Sequence, residues 1–243
     1  MQPLGSRMKW LENTTYLTKG KPLIVRVDGK SFRKLTKKLD PDDIIIANIF
    51  WETAKYLCQN IPGAKIAYTQ SDEISLLVTD YNFNPWFNKD AQKIATVVAS
   101  MATMAFNNAL FHVVFDFKEN EYLKYPGDEG EQKRKEVAAK ASRYYFMEGH
   151  IFFYGKTFVL PEAEVCNYFI WRQQDAYHNI REKYPKFALP KNGVCIVQKD
   201  FNVSIPQKFV DSAKTAIVRK RWVVEENVPT FSLNRNYIEQ YLE

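Results

Sequence analysis

The apolar positions of this chain change period along its length, and each change marks an element. Residues 22–28, 64–70 and 73–79 are short runs rich in Val, Ile, Leu, Tyr and Thr, bounded by Gly, Pro, Asn or Asp, which predicts three strands. Between the first two, the stretch from Asp42 or Asp43 to Gln59 sets Ile45, Ile49, Ala54, Leu57 and Cys58 close to a period of about 3.6 and predicts a helix, ended by Ile61-Pro62-Gly63-Ala64. Asp90–Leu110 predicts a second long helix, with Ile94, Val97, Val98, Met101, Met104, Ala105 and Asn108 on one broad face; its many alanines allow close packing on a sheet. From Phe117 to Gly149 the pattern weakens. A helix from Glu131 to about Met147 carries Lys133, Arg134, Lys135, Lys140 and Arg143 interspersed with Glu131 and Glu136, which reads as a solvated face. A strand over 150–159 and a helix over 162–183 follow.

The order strand, helix, two strands, helix, strand, helix predicts an α+β fold of the ferredoxin-like, polymerase-palm kind, an antiparallel sheet with helices on one face. Residues 1–160 form the expected palm-like domain. Residues 161–243 form a smaller C-terminal helix-and-strand extension packed on it.

Two of the strands end in acid. Leu23-Ile24-Val25-Arg26-Val27-Asp28-Gly29 and Ala67-Tyr68-Thr69-Gln70-Ser71-Asp72-Glu73-Ile74-Ser75-Leu76-Leu77 each deliver carboxylates at or near a turn, and Asp28 beside Asp72 would make a site for a hard divalent cation. Asp-Gly and Ser-Asp-Glu are also common turn signals, but Asp72 and Glu73 sit inside an apolar stretch where carboxylates are costly without compensation. The turn Asp28-Gly29-Lys30-Ser31-Phe32-Arg33 offers backbone N–H groups and two cations to phosphates. Such a constellation suits phosphoryl transfer.

Composition adds limits. With 243 residues, 46% hydrophobic and 15% aromatic, the chain can bury a substantial core, which excludes a disordered segment. A net charge of +6 favours a polyanionic partner without demanding one. Cys58, Cys166 and Cys195 are far apart and odd in number, which indicates neither a disulfide framework nor a structural zinc site and points to a reducing compartment. No apolar run is read as reaching bilayer length and no signal peptide is seen, so a cytoplasmic protein is expected. His112, His150 and His178 have no mutual ligand spacing and no nucleophile motif beside them.

Three motifs in order, Val25-Arg26-Val27-Asp28-Gly29-Lys30-Ser31-Phe32, Ala67 to Ser75 as quoted above, and Glu164-Val165-Cys166-Asn167-Tyr168-Phe169-Ile170-Trp171-Arg172-Gln173-Gln174-Asp175-Ala176, resemble the tRNA(His) guanylyltransferase family, most closely its bacterial-type branch of 3′-to-5′ RNA polymerases. The resemblance implies template-dependent nucleotide addition to the 5′ end of a tRNA. A nucleoside triphosphate, ATP or GTP, activates the 5′ end, and the 3′-hydroxyl of the incoming nucleotide then attacks it. It implies Mg²⁺, two ions, held by Asp28, Asp72 and the Gly29 carbonyl, with Glu73 an acidic neighbour needed for activity. It further implies nucleotide contacts from Arg26, Asp28, Gly29, Lys30, Ser31, Phe32, Arg33, Ser71, Asp72 and Lys93, and a homotetramer.

The helix over 162–183 crowds large polar side chains beside aromatics, the makings of a recognition surface, and Arg172, Gln173, Asp175, His178 and Asn179 are its candidate RNA contacts. Tyr168 and Trp171 could stack on bases, although at helical spacing core positions are the commoner use.

Three departures temper the transfer. Tyr177-His178-Asn179-Ile180 stands where single-guanylate enzymes carry His-Ile-Asn-Asn, only Arg181 to Lys191 precede the Asn192-Gly193-Val194 strand, and residues 118–149 look unlike the family. Repair of truncated tRNA is therefore preferred to dedicated tRNA(His) maturation. A palm-fold nucleotidyl cyclase or a catalytically silent RNA-binding relative are the alternatives.

Overall fold

The computed structural model describes residues 3–12, 14–32, 34, 44–82, 84–116, 124–127, 130–145, 147, 149–183, 190, 192–204 and 216–242, with backbone only for 179–183, 202–204 and 216–217. The elements in order are α1 (Leu4–Leu11), β1 (Leu23–Gly29), α2 (Ile45–Asn60), β2 (Ala64–Gln70), β3 (Glu73–Val78), α3 (Ala91–Asp116), α4 (Glu131–Tyr145), β4 (Phe153–Val159), α5 (Glu162–Lys183), β5 (Val194–Ser204), β6 (Ala216–Glu225) and α6 (Asn236–Glu239). The helix begun in the sequence reading at Asp42 or Asp43 is described from Ile45, those two residues lying outside the described ones. The second long helix runs on past Leu110 to Asp116, because Leu110 and Val114 continue its buried stripe.

The sheet has six strands in the order β4-β1-β3-β2-β5-β6, every neighbouring pair antiparallel. The first four strands reproduce the ferredoxin-like order; β5 and β6 extend it at the β2 edge. Period-two alternation divides the side chains between two cores. Val25, Val27, Ile74, Leu76 and Ala67 face α2 and α3, while Ile24, Leu77, Ile66, Tyr68 and Cys195 face α5 and the C-terminal segment around Phe231 and Ile238. Helices therefore cover both faces, not the one expected, because strands buried on both sides carry apolar residues at successive positions such as Leu23 to Val25.

Close approach and aromatic packing fix the layer that carries the acidic turn. A Cβ at Gly155 would collide with the Ala95 backbone carbonyl, so β4 can lie against α3 only with glycine there. Phe32, Phe50, Phe106 and Phe153 form a set of edge-to-face and tilted rings between the sheet and these helices.

Helix α3 corrects one expectation. It is long and apolar enough to cross a membrane by length and composition, since its alanines, methionines and valines are apolar on nearly every side. In the fold it lays Ile94, Val98, Ala102, Phe106, Leu110 and Val114 on the sheet and α2. At the other edge of the sheet, β5 pairs with β2 only through Val194–Val197, whereas its pairing with β6 continues to Ser204 opposite Ala216. The outer part of this hairpin is a two-stranded arm extending past the sheet.

Candidate active site at the acidic end of the sheet

The β1–β3 register sets Asp28 directly opposite Glu73, on the face that α5 covers. Asp72 sits in the two-residue turn between β2 and β3, after Ser71 in the left-handed region at φ 49°. The Gly29 N–H donates to the Asp72 carbonyl at 2.9 Å and ties the end of β1 to that turn. Gly29 is also a close-approach position: a side chain there would press Phe32 at 3.2 Å and the Asp72 Cβ at 3.4 Å.

Burial pushes all three carboxyls above the ordinary carboxylate range. For Asp28 it is opposed by the charges of Arg26, Arg172 and Lys156. For Asp72 burial is reinforced by the Asp28 charge and opposed by hydrogen bonds from its own backbone and the Ser71 side chain. For Glu73 it is opposed first by Arg172. The Asp28 charge thus adds to burial in raising the proton affinity of Asp72, and a cation would relieve that repulsion.

Glu73 differs from the aspartates. Arg172 donates to it bidentately, Nε to Oε1 at 2.7 Å and Nη2 to Oε2 at 2.8 Å, with Arg26 Nε at 3.8 Å from Oε2. Ser75 Oγ donates to Glu73 Oε1 at 3.2 Å and shares a 2.8 Å hydrogen bond with the Tyr168 hydroxyl. Arg172 also reaches Asp175 at 2.9 Å and packs over the Trp171 ring at 4.5 Å. Glu73 is therefore the centre of a buried network that positions β3 against α5.

The structure redistributes several expected roles. Phe32 has its side chain buried among the rings of Phe50 and Phe106. The N–H groups of Gly29 and Lys30 were expected free for phosphate, but they donate to the Asp72 and Phe152 carbonyls, because the turn is stitched to its neighbours. Lys30 and Ser31 are exposed, while Arg33 lies outside the described residues. Lys93 is 69% exposed at the start of α3; its Nζ is 3.9 Å from Asp90, and no ion pair joins it to the acidic residues among those described.

Arg172 and Gln173 are buried; Arg172 grips Glu73, and Gln173 braces the C-terminal segment. Asp175 is the partner of Arg172. His178 is exposed, and the Asn179 side chain lies outside the described residues. Tyr168 is core, whereas Trp171 is exposed. Sequence reasoning missed Lys156, whose Cα pairs with that of Arg26 across β1–β4. The signal was present as a lone cation amid the aromatic and apolar residues of 151–160.

Among the described residues no group of three or more His, Cys, Asp or Glu side chains could hold a metal ion. A cation at this end would have Asp28, Asp72 and the Gly29 carbonyl, all oxygen, with water or phosphate completing the shell. That set fits Mg²⁺, which keeps several waters and takes one or two carboxylates.

The sequence pattern of the tRNAHis guanylyltransferase family matches residues 5–148. The chain belongs to this family. Its members are nucleotidyltransferases, and guanylyltransferase-like nucleotide addition to tRNA is the family's function. The fold is 37% identical, with a TM-score of 0.73, to a bacterial tRNA(His) guanylyltransferase-like protein in complex with GTP, over 98% of both chains. It is 34% identical, TM-score 0.71, to such a protein in complex with ATP, over 99% of both. The tRNA(His) guanylyltransferase of Debaryomyces hansenii is 30% identical over 117 residues, 47% of this chain and 42% of that protein. Residues 118–148 of the segment expected to depart from the family lie within the span of the match.

Proposed function

We propose that this enzyme extends the 5′ end of tRNA in the 3′-to-5′ direction, with repair of 5′-truncated tRNA as its use. The observation that carries the reading is the meeting of Asp28, Gly29 and Asp72 at one end of the sheet, in a chain alike over 98% of its length to a protein in complex with GTP. Two displacements at phosphorus are needed. In the first, a 5′-phosphate oxygen of the RNA attacks the α-phosphorus of ATP, a P–O bond forms and pyrophosphate leaves. In the second, the 3′-hydroxyl oxygen of the incoming nucleotide attacks the RNA 5′-phosphorus, its proton passes to solvent and AMP leaves. A 5′-triphosphorylated RNA enters at the second step and releases pyrophosphate.

Asp28, Asp72 and the Gly29 carbonyl would hold Mg²⁺, which when bound stabilises charge on the attacking and leaving oxygens. Arg26 and Lys156 supply positive charge beside Asp28. Glu73 and Arg172 act as positioning residues that lock β3 to α5. Positive side chains on the hairpin arm, Arg219, Lys220 and Arg221, are exposed and suit RNA phosphates. Self-association is part of the proposal: among the described residues no side chain of α1 is buried, Trp10 is 80% exposed, and Phe111 and Phe115 of α3 are about half exposed, which supports a homotetramer.

The test is incubation of 3′-end-labelled tRNA lacking its first nucleotide with Mg²⁺, ATP and single nucleoside triphosphates. Growth at the 5′ end by the nucleotide complementary to the opposing strand is expected. Formation of a cyclic nucleotide from triphosphate alone, with no RNA growth, would contradict it.

A further inference from the structure

Away from the acidic end, α5 and the segment 228–232 enclose a cleft of about 260 Å³. Its floor is rigid. The buried Gln173 donates Nε2 to the carbonyls of Asn192 and Pro229, both at 3.0 Å, and its Oε1 accepts the Phe231 N–H at 2.7 Å. Asn192 Nδ2 in turn donates to the Val228 carbonyl at 2.9 Å. A cleft held by so many hydrogen bonds within its own walls is formed before any ligand arrives, which lowers the entropy cost of binding.

The lining is chemically selective. Ile170, Gln174, Tyr177 and His178 come from one face of α5, and Thr230 and Ser232 from the opposite wall. Among the described residues that line it none is Lys, Arg, Asp or Glu, so these walls offer neutral polar groups and not a counter-charge to a phosphate, a carboxylate or an ammonium. The side chains of Gln174, His178, Thr230 and Ser232 make no hydrogen bond among the described residues, so an amide, an imidazole and two hydroxyls remain available beside an apolar wall and an aromatic ring. Available neutral donors and acceptors with an apolar wall match a flat, neutral heterocycle with a polar edge. The volume is below the range of about 300–1,000 Å³ usual for whole small-molecule ligands, so it suits a base without its phosphates.

We infer that this cleft is a nucleobase-binding subsite, filled by an unpaired base of the RNA whose 5′ end is being extended. The inference rests on the RNA-directed function proposed above. Arg172 and His178 are separated by about 9 Å along the helix at about 1.5 Å per residue. They lie on different faces: Arg172 and Asp175 turn to Glu73, while Gln174, Tyr177 and His178 turn to the cleft. A base in the cleft is thus held near the reacting phosphates and not among them. The amide of Gln174 and the hydroxyls read its edge, and Tyr177 or His178 stacks on its face.

The experiment compares the whole protein with Gln174→Ala and Ser232→Ala, both at exposed positions whose side chains hold nothing else in place. Photo-crosslinking uses tRNA carrying thiouridine at unpaired positions, tRNA and nucleoside triphosphate affinities are measured separately, and His178 ring resonances are followed as each of the ordinary ribonucleosides is added. The expected result is crosslinking to the peptides bearing Tyr177–His178 or Thr230–Ser232, with tRNA affinity weakened roughly five- to a hundredfold in each variant and triphosphate affinity unchanged. A nucleoside-dependent shift of His178 without an RNA crosslink keeps the nucleobase site and identifies free nucleotides as its source. Crosslinks elsewhere, an unmoved His178 and unchanged variants overturn the inference. The tRNA extension assay on the wild-type protein reads the function independently: extension with a silent cleft refutes only the subsite, and absence of extension refutes the function while the His178 titration still decides the cleft.

Discussion

Asp72 is held in a half-buried turn beside a second carboxylate, and in the metal-free protein that arrangement works against the fold. Both Asp28 and Asp72 bind protons more tightly folded than unfolded, so their stability contribution is fully present below the unfolded carboxylate value and is lost as pH rises through the folded one. Asp72→Asn removes the repulsion at neutral pH. The variant is expected to melt higher than wild type without metal, to lose the rise that Mg²⁺ with nucleotide gives wild type, and to lose nucleotide addition; calorimetry and the extension assay check all three. Arg172 behaves in the opposite sense. Arg172→Ala strands Glu73 inside the protein, and breaking a buried pair costs about 3–5 kcal/mol, which lowers Tm by roughly 6–20 °C. Pairing it with Glu73→Gln should restore much of that loss, and a double variant as unstable as the single one would contradict the buried-pair account. That Asp28 and Asp72 would lie side by side was legible in the sequence because carboxylates amid β-branched runs stand out. The role of Arg172 was not, since its partner lies 99 residues away and only the packing of α5 on the sheet joins them.

At the scale of elements, periodicity located the strands β1 to β3 and the helices α2, α3 and α5 to within a few residues, except at the α2 start, outside the described residues, and the longer α3 end. It could not say which face each helix covers: β3 is buried on both sides from Glu73 to Val78, and the polar Glu73 and Ser75 on one of its faces are buried in a network and not turned to solvent. Gly155 shows what pattern alone conceals. In the sequence it is an ordinary glycine in an aromatic strand, yet it is where β4 meets the α3 backbone. Gly155→Ala is expected to destabilise by about 1–3 kcal/mol through overpacking, whereas Gly5→Ala, with open space around it, should be neutral; denaturant melts of the two variants make the comparison. An unchanged midpoint for Gly155→Ala would mean that the sheet and helix separate more easily than this packing allows.

For the whole molecule, a net charge of +6 says little until its distribution is known. The arm brings Arg219 and Arg221 opposite Phe201 and Lys199, with Arg221 over the Phe201 ring at 5.6 Å. Replacing Arg219, Lys220 and Arg221 together by Ala should weaken tRNA binding and reduce the log–log salt slope by about 2–3, leaving nucleoside triphosphate binding intact. Equal loss for tRNA and free triphosphate would mean instead that the arm supports the acidic end. This architecture of one acidic sheet end, two helical layers and a basic arm makes the direction of synthesis its central claim. The most direct measurement is the position of the nucleotide added to a 5′-truncated, 3′-end-labelled tRNA, read with 5′-monophosphorylated and 5′-triphosphorylated substrates in wild type and Asp72→Asn. The account predicts template-matched growth at the 5′ end, an ATP requirement only for the monophosphorylated RNA, and no growth with the variant. Growth at the 3′ end, or 5′ growth that survives in Asp72→Asn, would contradict it.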